Sequence, residues 1–528
     1  MYRINQVRLP IGFDENNLTR LLAEKLKVNI ANLRNVELYK LSIDARDKGD
    51  LHYKAGIVFD VVGAFNHTKY KNIDLYEKED LSVANWQGSE KRIFVIGSGP
   101  SGLFAAIRLA ESGAKVTIVE RGQEMSKRQK AVQELMENGV LNTKSNIQFG
   151  EGGAGTFSDG KLNTGIKSKY IKLVLETFYR FGANKNIMYD ARAHIGTDIL
   201  SKVIVNMREY FKSLGGEVLF ETRFVEFSEE NGALKTITLE RDGKVWQEEA
   251  EQVVLAIGHS SRDTIRMLRD RNIEFKKKPF SLGYRIEHLQ EDINNAQYGT
   301  SKEAKMLTAA DYHLVEHIGS RVVYSFCMCP GGVVVPAMSE EGTIVTNGMS
   351  YNARDGVNSN SALLVSVGID DFPSADPLSG VEMQEEIERK AYLKSGSYKA
   401  TVQTVGDFLA GRETTKLGRV VPSFKPGYQL GSVEDILPNF VVSALKEGIV
   451  KLDNKLKGFA SADAILTGAE TRSSAPYQVI RNADMETGVK GLYAIGEGAG
   501  FAGGIVSSAV EGLKCADILI KNTSKCFE

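Results

Sequence analysis

The spacing of apolar and polar positions divides the chain into regions of different texture. Near the N-terminus, residues 36–41 and 52–62 alternate with the two-residue period of half-buried strands. Residues 18–26 have the spacing of an amphipathic helix, with Asn17 as its predicted N-cap. The pattern predicts a small α+β accessory domain over residues 1–84, followed by a polar linker.

At residue 92 the pattern changes to that of a parallel α/β unit. Residues 93–96 are continuously apolar, as in a strand that is buried on both faces. A glycine-rich turn follows at 97–102, then a helical segment at 103–112 with Gly113 as its C-cap, and a second strand at 115–119. This order predicts a β-turn-α-β unit with its glycines at the strand-to-helix turn.

The remaining chain predicts a meander that leads back into the parallel sheet, then an interposed region of strands and helices, and a closing strand and helix. Asn231-Gly232 and Asp242-Gly243 are hairpin turn signals, so residues 217–257 predict a three-stranded meander that leads back into a buried strand at 253–257. Strands at 322–326 and 342–347 and helices at 378–393 and 433–452 follow. A last strand at 491–497 and a helix at 505–521 close the chain.

These elements predict an α/β fold with four segments. A Rossmann-like domain with the three-stranded β-meander is discontinuous, built from residues 90–276 and from the return segment 471–528. An interposed α+β substrate or cap domain covers 277–470, and the N-terminal α+β domain covers 1–84.

Composition narrows the class of protein. The 528 residues are 42% apolar and 25% charged with a net charge of −1, which is typical of a globular protein of about three domains. Balanced charge does not favour a nucleic-acid partner, and no apolar run is long enough for a membrane span. The first residues lack the apolar run of a secretory signal, and four cysteines suit a reducing cytoplasm.

The glycine-rich turn 97–102 is the first segment that predicts a binding site. Gly97 permits a tight turn, Gly99 lets the backbone approach a pyrophosphate, and Gly102 allows close helix–strand packing. The following helix would direct free N–H groups and the positive end of its dipole at phosphate. Glu120 at the tip of the next strand suits ribose hydroxyls, so the pattern predicts FAD or NAD; an ordinary α/β turn is the alternative.

Two further glycine-rich stretches favour a flat cofactor. Five glycines within 150–160 cost chain entropy unless their N–H groups face a ring or a phosphate, and a flexible surface loop is the alternative. In 496–505, Glu497 could accept hydrogen bonds from ribityl hydroxyls, and the helix beginning near Gly503 would direct its N–H groups at the pyrimidine end of a flavin. The alternative there is a sheet-crossover loop.

These stretches, the meander and Ala256-Ile257-Gly258 resemble the glutathione-reductase-like FAD superfamily. The resemblance implies that the first turn binds the FAD pyrophosphate, the acid binds adenosine ribose and a late strand holds the ribityl chain; Glu497 stands where the superfamily has Asp. Six segments resemble, more narrowly, the bacterial uncharacterised FAD-dependent, or NAD(FAD)-utilising, dehydrogenases: SIDAR (42–46), GGAGTFSDGKL (152–162), FCMCPGG (326–332), TNGMS (346–350), ETRSSAP (470–476) and GEGAGFAGGI (496–505).

Cys327 and Cys329 form the predicted catalytic pair. Residues two apart on a strand share a face, so two thiols beside a flavin could exchange electrons with it as dithiol and disulfide. The alternative is two small residues packed before a turn. A metal site is not expected, because no second Cys-x-Cys pair exists to complete four ligands. Cys515 and Cys526 are expected to have no role.

Two charged pairs also have this spacing. Arg285 with Glu287, and Glu470 with Arg472, would each share a strand face and could grip an anionic substrate or a flavin edge; an exposed ion pair is the alternative. His259 follows the A-x-G strand, where a general acid–base role competes with that of a plain loop histidine.

The sequence thus predicts a cytoplasmic FAD-dependent oxidoreductase that transfers hydride through flavin N5 to or from a small-molecule substrate. NAD(P)H is a candidate transient donor, although no second GxGxxG provides a separate domain for it. Two alternatives stay open: a flavoprotein that modifies RNA, and a protein with structural FAD. Substrate identity and oligomeric state also stay open. The residues expected to contact FAD are Gly97, Ser98, Gly99, Pro100, Ser101, Gly102, Glu120, Arg121, Arg128, Gly152, Gly153, Asp159, Lys161, Leu162, Val225, Ala256, Gly258, Gly496, Glu497, Gly503, Gly504 and Ile505.

Overall fold

The computed structural model describes residues 1–524, so Cys526 lies outside the described residues. The N-terminal region is a four-stranded antiparallel sheet of order β2-β3-β1-β4 with one helix packed on it. Its elements are β1 (Tyr2–Pro10), α1 (Leu18–Leu26), β2 (Leu33–Asp44), β3 (His52–Val61) and β4 (Ile73–Leu75). Helix α1 has the predicted bounds, but Asn17 makes no side-chain cap because it ends a preceding 3₁₀ turn.

The second region begins with the predicted β-turn-α-β unit. Its elements are β5 (Ile93–Ile96), α2 (Pro100–Glu111), β6 (Val116–Val119), α3 (Met125–Asn138), α4 (Tyr170–Arg180), α5 (Thr197–Ser213), β7 (Glu217–Leu219), β8 (Arg223–Glu230), β9 (Ala233–Arg241), β10 (Lys244–Glu249), β11 (Gln252–Leu255) and α6 (Arg262–Asp270).

The third region alternates strands and helices before the chain returns to the second. Its elements are β12 (Phe275–Lys277), β13 (Phe280–Leu289), α7 (Gln290–Tyr298), β14 (Val315–Ile318), β15 (Arg321–Cys329), β16 (Val333–Pro336), β17 (Thr346–Met349), β18 (Asn358–Val367), α8 (Ser379–Ser395), β19 (Ala400–Thr404), α9 (Val405–Ala410), β20 (Tyr428–Leu430), α10 (Asn439–Asp453), β21 (Ile465–Glu470) and β22 (Tyr477–Val479). The return consists of β23 (Leu492–Ala494) and α11 (Ile505–Ser524).

Two large sheets organise these elements. The first is a five-stranded parallel sheet of order β23-β11-β5-β6-β7, so the last strand of the chain joins the strands of the second region. The second is a seven-stranded mixed sheet of order β14-β15-β18-β13-β21-β19-β20. Because the carboxyl ends of parallel strands meet at one edge, the turns after β5, β6, β11 and β23 come together.

The α/β class with a Rossmann-like sheet and a three-stranded meander is confirmed. Both meander hairpins turn at the predicted dipeptides, and all four residues, Asn231, Gly232, Asp242 and Gly243, have positive φ, which two-residue hairpins of right-handed twist require. Within residues 1–524, every helix is too short or too polar to span a bilayer.

Several boundaries differ from their predictions for local reasons. Helix α2 begins three residues early because Pro100 fits its first turn, and its C-cap is Ser112 rather than Gly113. Helix α10 begins at Asn439 rather than 433, since a residue before proline, here Leu437, avoids the helical region. Strand β17 begins at Thr346 rather than 342, because Gly342 turns the chain with a φ of 69°.

Candidate functional site

A cavity of about 320 Å³ opens at the carboxyl edge of the parallel sheet. The turns after β5, β6 and β11 and the start of α11 form one side, and β15, β17 and the end of β21 form the opposite wall. Fifteen of the predicted site residues line it: Gly97, Gly99, Pro100, Ser101, Glu120, Arg121, Gly153, Lys161, Ala256, Gly258, Cys327, Glu497, Gly503, Gly504 and Ile505.

The other predicted residues do not line this cavity. They are Ser98, Gly102, Arg128, Gly152, Asp159, Leu162, Val225, Cys329 and Gly496. Phe224 lines the cavity in place of its neighbour Val225, because adjacent residues of a strand face opposite sides. Asp159 is instead fully buried in an ion pair with Arg354.

The first two glycine stretches pack backbone against backbone. A Cβ on Gly153 would lie 2.9 Å from the Cα of Gly99, and Gly153 has a φ of 64°, which disfavours other residues. A Cβ on Gly102 would lie 1.9 Å from the carbonyl oxygen of Gly97, so helix α2 approaches its preceding strand more closely than any side chain allows. The absence of side chains leaves a bare backbone surface at the N-terminus of α2.

The third stretch is brought to the same place by the packing of α11 on α2. A Cβ on Gly512 would lie 2.1 Å from the carbonyl oxygen of Ser101, so the two helices cross at close range. Their first turns, at Pro100 and Ile505, both line the cavity. Two helix N-termini, each with free N–H groups and a positive dipole end, therefore border one space.

Glu120 fastens the first two glycine stretches together. One carboxylate oxygen accepts from the N–H of Ser98 at 2.9 Å and from its hydroxyl at 2.7 Å. The other accepts from the N–H groups of Gly122 at 2.9 Å and Gly150 at 3.0 Å. A carboxylate has about four acceptor positions, and these four protein donors occupy them, so Glu120 organises the turns at the point where it borders the cavity.

Arg128 supports the second stretch from behind. Its guanidinium is fully buried and donates to the carbonyl oxygens of Asn146, Ile147, Gly150 and Glu151. Burial lowers its pKa to about 10. Arg128, which is predicted to contact the cofactor, does not line the cavity; its guanidinium donates to four backbone carbonyls and holds the loop that does.

His259 and Glu497 form a pair on the cavity wall. Nδ1 of His259 lies 3.3 Å from a carboxylate oxygen of Glu497, and both residues line the cavity. Nε2 of His259 is buried without a hydrogen-bond partner in the described part of the chain. Such an orphaned nitrogen is a position where a bound molecule can supply the missing hydrogen bond.

The opposite wall carries Lys161, Cys327 and Glu470. Burial lowers the pKa of Lys161, and within residues 1–524 its ammonium makes no hydrogen bond or ion pair. Burial also raises the pKa of Glu470 to about 7, against the opposing effect of Arg285 at 3.1 Å. The cavity thus has one side rich in backbone N–H groups, which also carries Glu120, His259 and Glu497, and an opposite side with Lys161, Cys327 and Glu470.

The two cysteines do not share a strand face as predicted. A bulge interrupts the pairing of β15 with β18 between Phe326 and Cys329, and Cys327 has a φ of 45°. Cys327 therefore lines the cavity, whereas Cys329 is buried behind it. A hydrogen bond from Cys329 lowers the pKa of the Cys327 thiol well below its ordinary value, and burial raises that of Cys329.

Neither of the two predicted charged pairs forms in the structure. Arg285 pairs with Glu470, while Glu287 accepts hydrogen bonds from Ser423 and Asn358. All four residues of the predicted pairs are buried, which corrects the alternative of exposed ion pairs. Only Glu470 and Arg472 of these four line the cavity.

A buried ion network that sequence reasoning missed lies beside the site. Arg472 and Arg262 both donate to the carboxylate of Glu388, which is fully buried on α8. Arg262 lies on α6 of the parallel-sheet region, and Arg472 follows β21. The residues are far apart in sequence, so no local signal joins them.

Comparisons with known proteins place the chain in a family. Residues 279–473 match the family described as FAD-dependent protein, C-terminal domain-like. Residues 58–152 and 91–175 match pyridine nucleotide-disulphide oxidoreductase, and residues 1–58 match a domain of unknown function. An uncharacterized protein of Clostridium beijerinckii is 46% identical over 528 residues, which cover 98% of each chain.

Solved structures show weaker likeness. A geranylgeranyl bacteriochlorophyll reductase-like protein of Thermoplasma acidophilum is 13% identical, with 84% of each chain covered and a TM-score of 0.34. A mutant of the halogenase PltM in complex with FAD is 10% identical, with 83% of this chain and 71% of that chain covered and a TM-score of 0.40. The clostridial relative and the matched families together lead to one conclusion: the chain belongs to a family of FAD-dependent oxidoreductases.

Proposed function

We propose that the cavity holds FAD and that the protein transfers hydride between its flavin and a small-molecule substrate. The bare backbone at Gly99 and Gly153 would receive the pyrophosphate, and Glu120 with Arg121 would border the adenosine. Glu497 would meet the ribityl chain. The observation that carries the proposal is the convergence of three glycine-rich stretches on one cavity.

The residues present fit that group. Two helix N-termini border the cavity and suit a doubly charged pyrophosphate and a flavin that gains negative charge on reduction. Side chains are missing where a pyrophosphate would contact the backbone, and the buried Nε2 of His259 has no protein partner in residues 1–524. Both features favour an extended polar ligand over a cavity filled by water alone.

Bound FAD would supply two-electron chemistry at its N5 atom. The chain's own contribution lies on the wall of Lys161 and Glu470. The unpaired ammonium of Lys161 can hold an anionic group against that wall, and Glu470 can release or take up a proton near neutral pH because its pKa is about 7. NAD(P)H is the proposed transient donor, docking for each turnover because the sequence has no second GxGxxG.

Gly99 allows a test that separates FAD binding from folding. An alanine there needs no positive φ, and its Cβ would lie 3.8 Å from Gly153, an ordinary contact. We expect wild-type protein to carry FAD and Gly99→Ala to keep its apo-form melting temperature but bind FAD at least about tenfold more weakly, equal to about 1.4 kcal/mol. Gly165→Ala is the matched control, since its Cβ meets nothing within 4 Å.

The outcomes of this test are distinct. Wild-type protein that takes up no FAD, or Gly99→Ala that binds it with unchanged affinity, contradicts the proposed site. The donor is tested by anaerobic mixing of the FAD-loaded protein with NADH and NADPH, followed by the flavin absorbance. Flavin that dithionite reduces but neither nucleotide reduces would exclude NAD(P)H as the donor.

A further inference from the structure

Cys327 lines the cavity wall, and Cys329, which is buried behind it, is separated from it by a single residue. Without the bulge, residues two apart would stand side by side on one face of the strand. With Cys327 in the left-handed region, the Cys329 Sγ lies 3.4 Å from the carbonyl oxygen of Cys327. The Cys329 thiol is thus directed back toward residue 327.

A fixed cation lies under this pair. Nη2 of Arg285 is 3.3 Å from the Cys329 Sγ and 2.7 Å from the carbonyl oxygen of Cys327. The guanidinium is fully buried and is held by Glu470 at 3.1 Å and Asn360 at 2.8 Å. A Cβ on Gly348 would lie 1.9 Å from Nη2, so β17 carries glycine where the arginine passes.

The charges around Cys327 favour a thiolate. Arg285 and Lys161 attract its negative charge, and Asp159, already paired with Arg354, opposes them. A thiolate with a neighbouring thiol is the reduced form from which a disulfide is made. By contrast Cys515, buried in α11, has its pKa raised to about 12 by burial and, within residues 1–524, has no cysteine beside it.

We propose that Cys327 and Cys329 are a redox-active dithiol that exchanges an electron pair with the flavin, an inference that rests on the proposed function. In the oxidising direction the Cys327 thiolate and the Cys329 thiol form one S–S bond, and the S–H bond of Cys329 breaks. The two electrons and that proton pass to FAD, giving FADH⁻. The reactants and the products each carry one negative charge and one transferred proton, so the step balances.

The small ring makes the exchange reversible. A disulfide across a single intervening residue closes a shorter loop than the C-x-x-C motif, and such strained disulfides are the more easily reduced ones. A reduced flavin can therefore reopen the bond, returning a thiolate on Cys327 and a thiol on Cys329. The pair would store a second electron pair beside the cofactor.

The proposal is tested by counting electrons. FAD-loaded full-length protein is oxidised and then titrated anaerobically with dithionite while the flavin absorbance is followed. We expect wild-type protein to take up two electron pairs per FAD, and Cys327→Ser and Cys329→Ser to take up one. Cys515→Ala is the control and should match the wild type.

A mass measurement gives a second readout that does not use activity. Protein equilibrated in an oxidising thiol–disulfide buffer is denatured, alkylated and digested. The peptide that contains Cys327 and Cys329 should lack both alkyl groups and two hydrogens, and should gain both alkyl groups after equilibration in a reducing buffer. Alkylation of both cysteines after equilibration in the oxidising buffer would refute the disulfide.

The failures of the two proposals are distinguishable. A protein that binds no flavin refutes the proposed function and this inference together. A flavin-loaded protein in which the wild type and Cys329→Ser take up the same number of electron pairs refutes the dithiol alone and leaves the flavin site intact.

Discussion

Glu388 lies at the centre of the ion network beside the cavity, and its replacement by glutamine tests how much that network stabilises the protein. Its carboxylate accepts from Arg262 at 2.8 Å through both oxygens, from Arg472 at 3.0 and 2.8 Å, and from the hydroxyl of Thr471 at 2.7 Å. Glutamine keeps the shape but turns an N–H₂ group toward a guanidinium. Two buried cations would then lose their shared anion.

The structure allows the size of the effect to be worked out. Removing one partner of a buried ion pair costs about 3–5 kcal/mol. Glu340 also accepts from Arg262 and Arg472, so some compensation remains and the lower value, about 3 kcal/mol, is expected. With an unfolding entropy of about 2.1 cal/mol/K per residue over the 528-residue chain, this lowers the melting temperature by about 3 °C if the chain unfolds as one unit.

The effect should be the same at pH 6 and pH 8. Although burial opposes it, the two guanidiniums hold the pKa of Glu388 well below its ordinary 4.5. A group whose pKa is lowered by folding contributes its full stability above that ordinary value and loses it only as the pH falls toward the lowered one. Both measurements therefore compare a fully charged Glu388 with a neutral glutamine.

The assay is calorimetric melting of the wild type, Glu388→Gln and a control on the same helix. Glu386→Gln removes an exposed pair with Lys390, 2.7 Å long, which is worth at most about 0.5 kcal/mol, or about half a degree. A Glu388→Gln shift no larger than that of Glu386→Gln would show that the buried network is not stabilising and would refute the reasoning.

Three further predictions concern the cavity and the close packing of helix α2 beside it. The alkylation rate of Cys327 should reach half its plateau at a pH below the 9.0 of an ordinary thiol, because Cys329 and nearby cations stabilise its thiolate; a midpoint at or above 9.0, measured by peptide mass, would contradict this. Folding raises the pKa of Glu470 from 4.5 to about 7, so the free energy of unfolding of the wild type falls by about 3 kcal/mol as the pH rises between those values. The melting temperature of Glu470→Gln relative to that of the wild type should therefore rise over that interval. A constant difference between the two would contradict this. Gly102→Ala should cost about 1–3 kcal/mol in thermal melting because its Cβ meets a carbonyl oxygen at 1.9 Å, whereas Gly165→Ala should melt like the wild type; equal melting of the two would exclude the close packing.

The elements that sequence predicts well are those specified locally. The continuous apolar run at Ile93–Ile96 forms a central strand with neighbours on both sides, because only a doubly covered parallel strand tolerates apolar side chains on both faces. The meander turns follow from Asn231-Gly232 and Asp242-Gly243, since these residues accept positive φ at low cost. Neither inference needs to know what packs against the segment.

The site details that sequence misses depend on partners distant in the chain. Arg285 and Glu470 are 185 residues apart, and spacing along the strand joined each to a nearer residue instead. The bulge at Cys327 breaks the two-residue period, and a bulge is set by the pairing of β15 with β18 rather than by the residues of β15 alone. Arg128 lies behind the glycine-rich loop and donates to its carbonyl oxygens, and the sequence around residue 128 contains no signal for that support.

Arg472 belongs both to the buried ion network and to the cavity wall. The side that carries the glycine-rich turns belongs to the parallel sheet, whereas Cys327 and Glu470 belong to the mixed sheet, so their separation depends on what joins the two. Arg472 lines the cavity, binds Glu388 on α8, and donates to the hydroxyl of Ser260 at 3.1 Å just after β11. The proposed electron exchange between a flavin on one side and thiols on the other requires a fixed distance. A buried charged network, which offers stability only when all partners are in place, is suited to hold two sheets in one relative position, because a displacement of either sheet leaves charges unpaired.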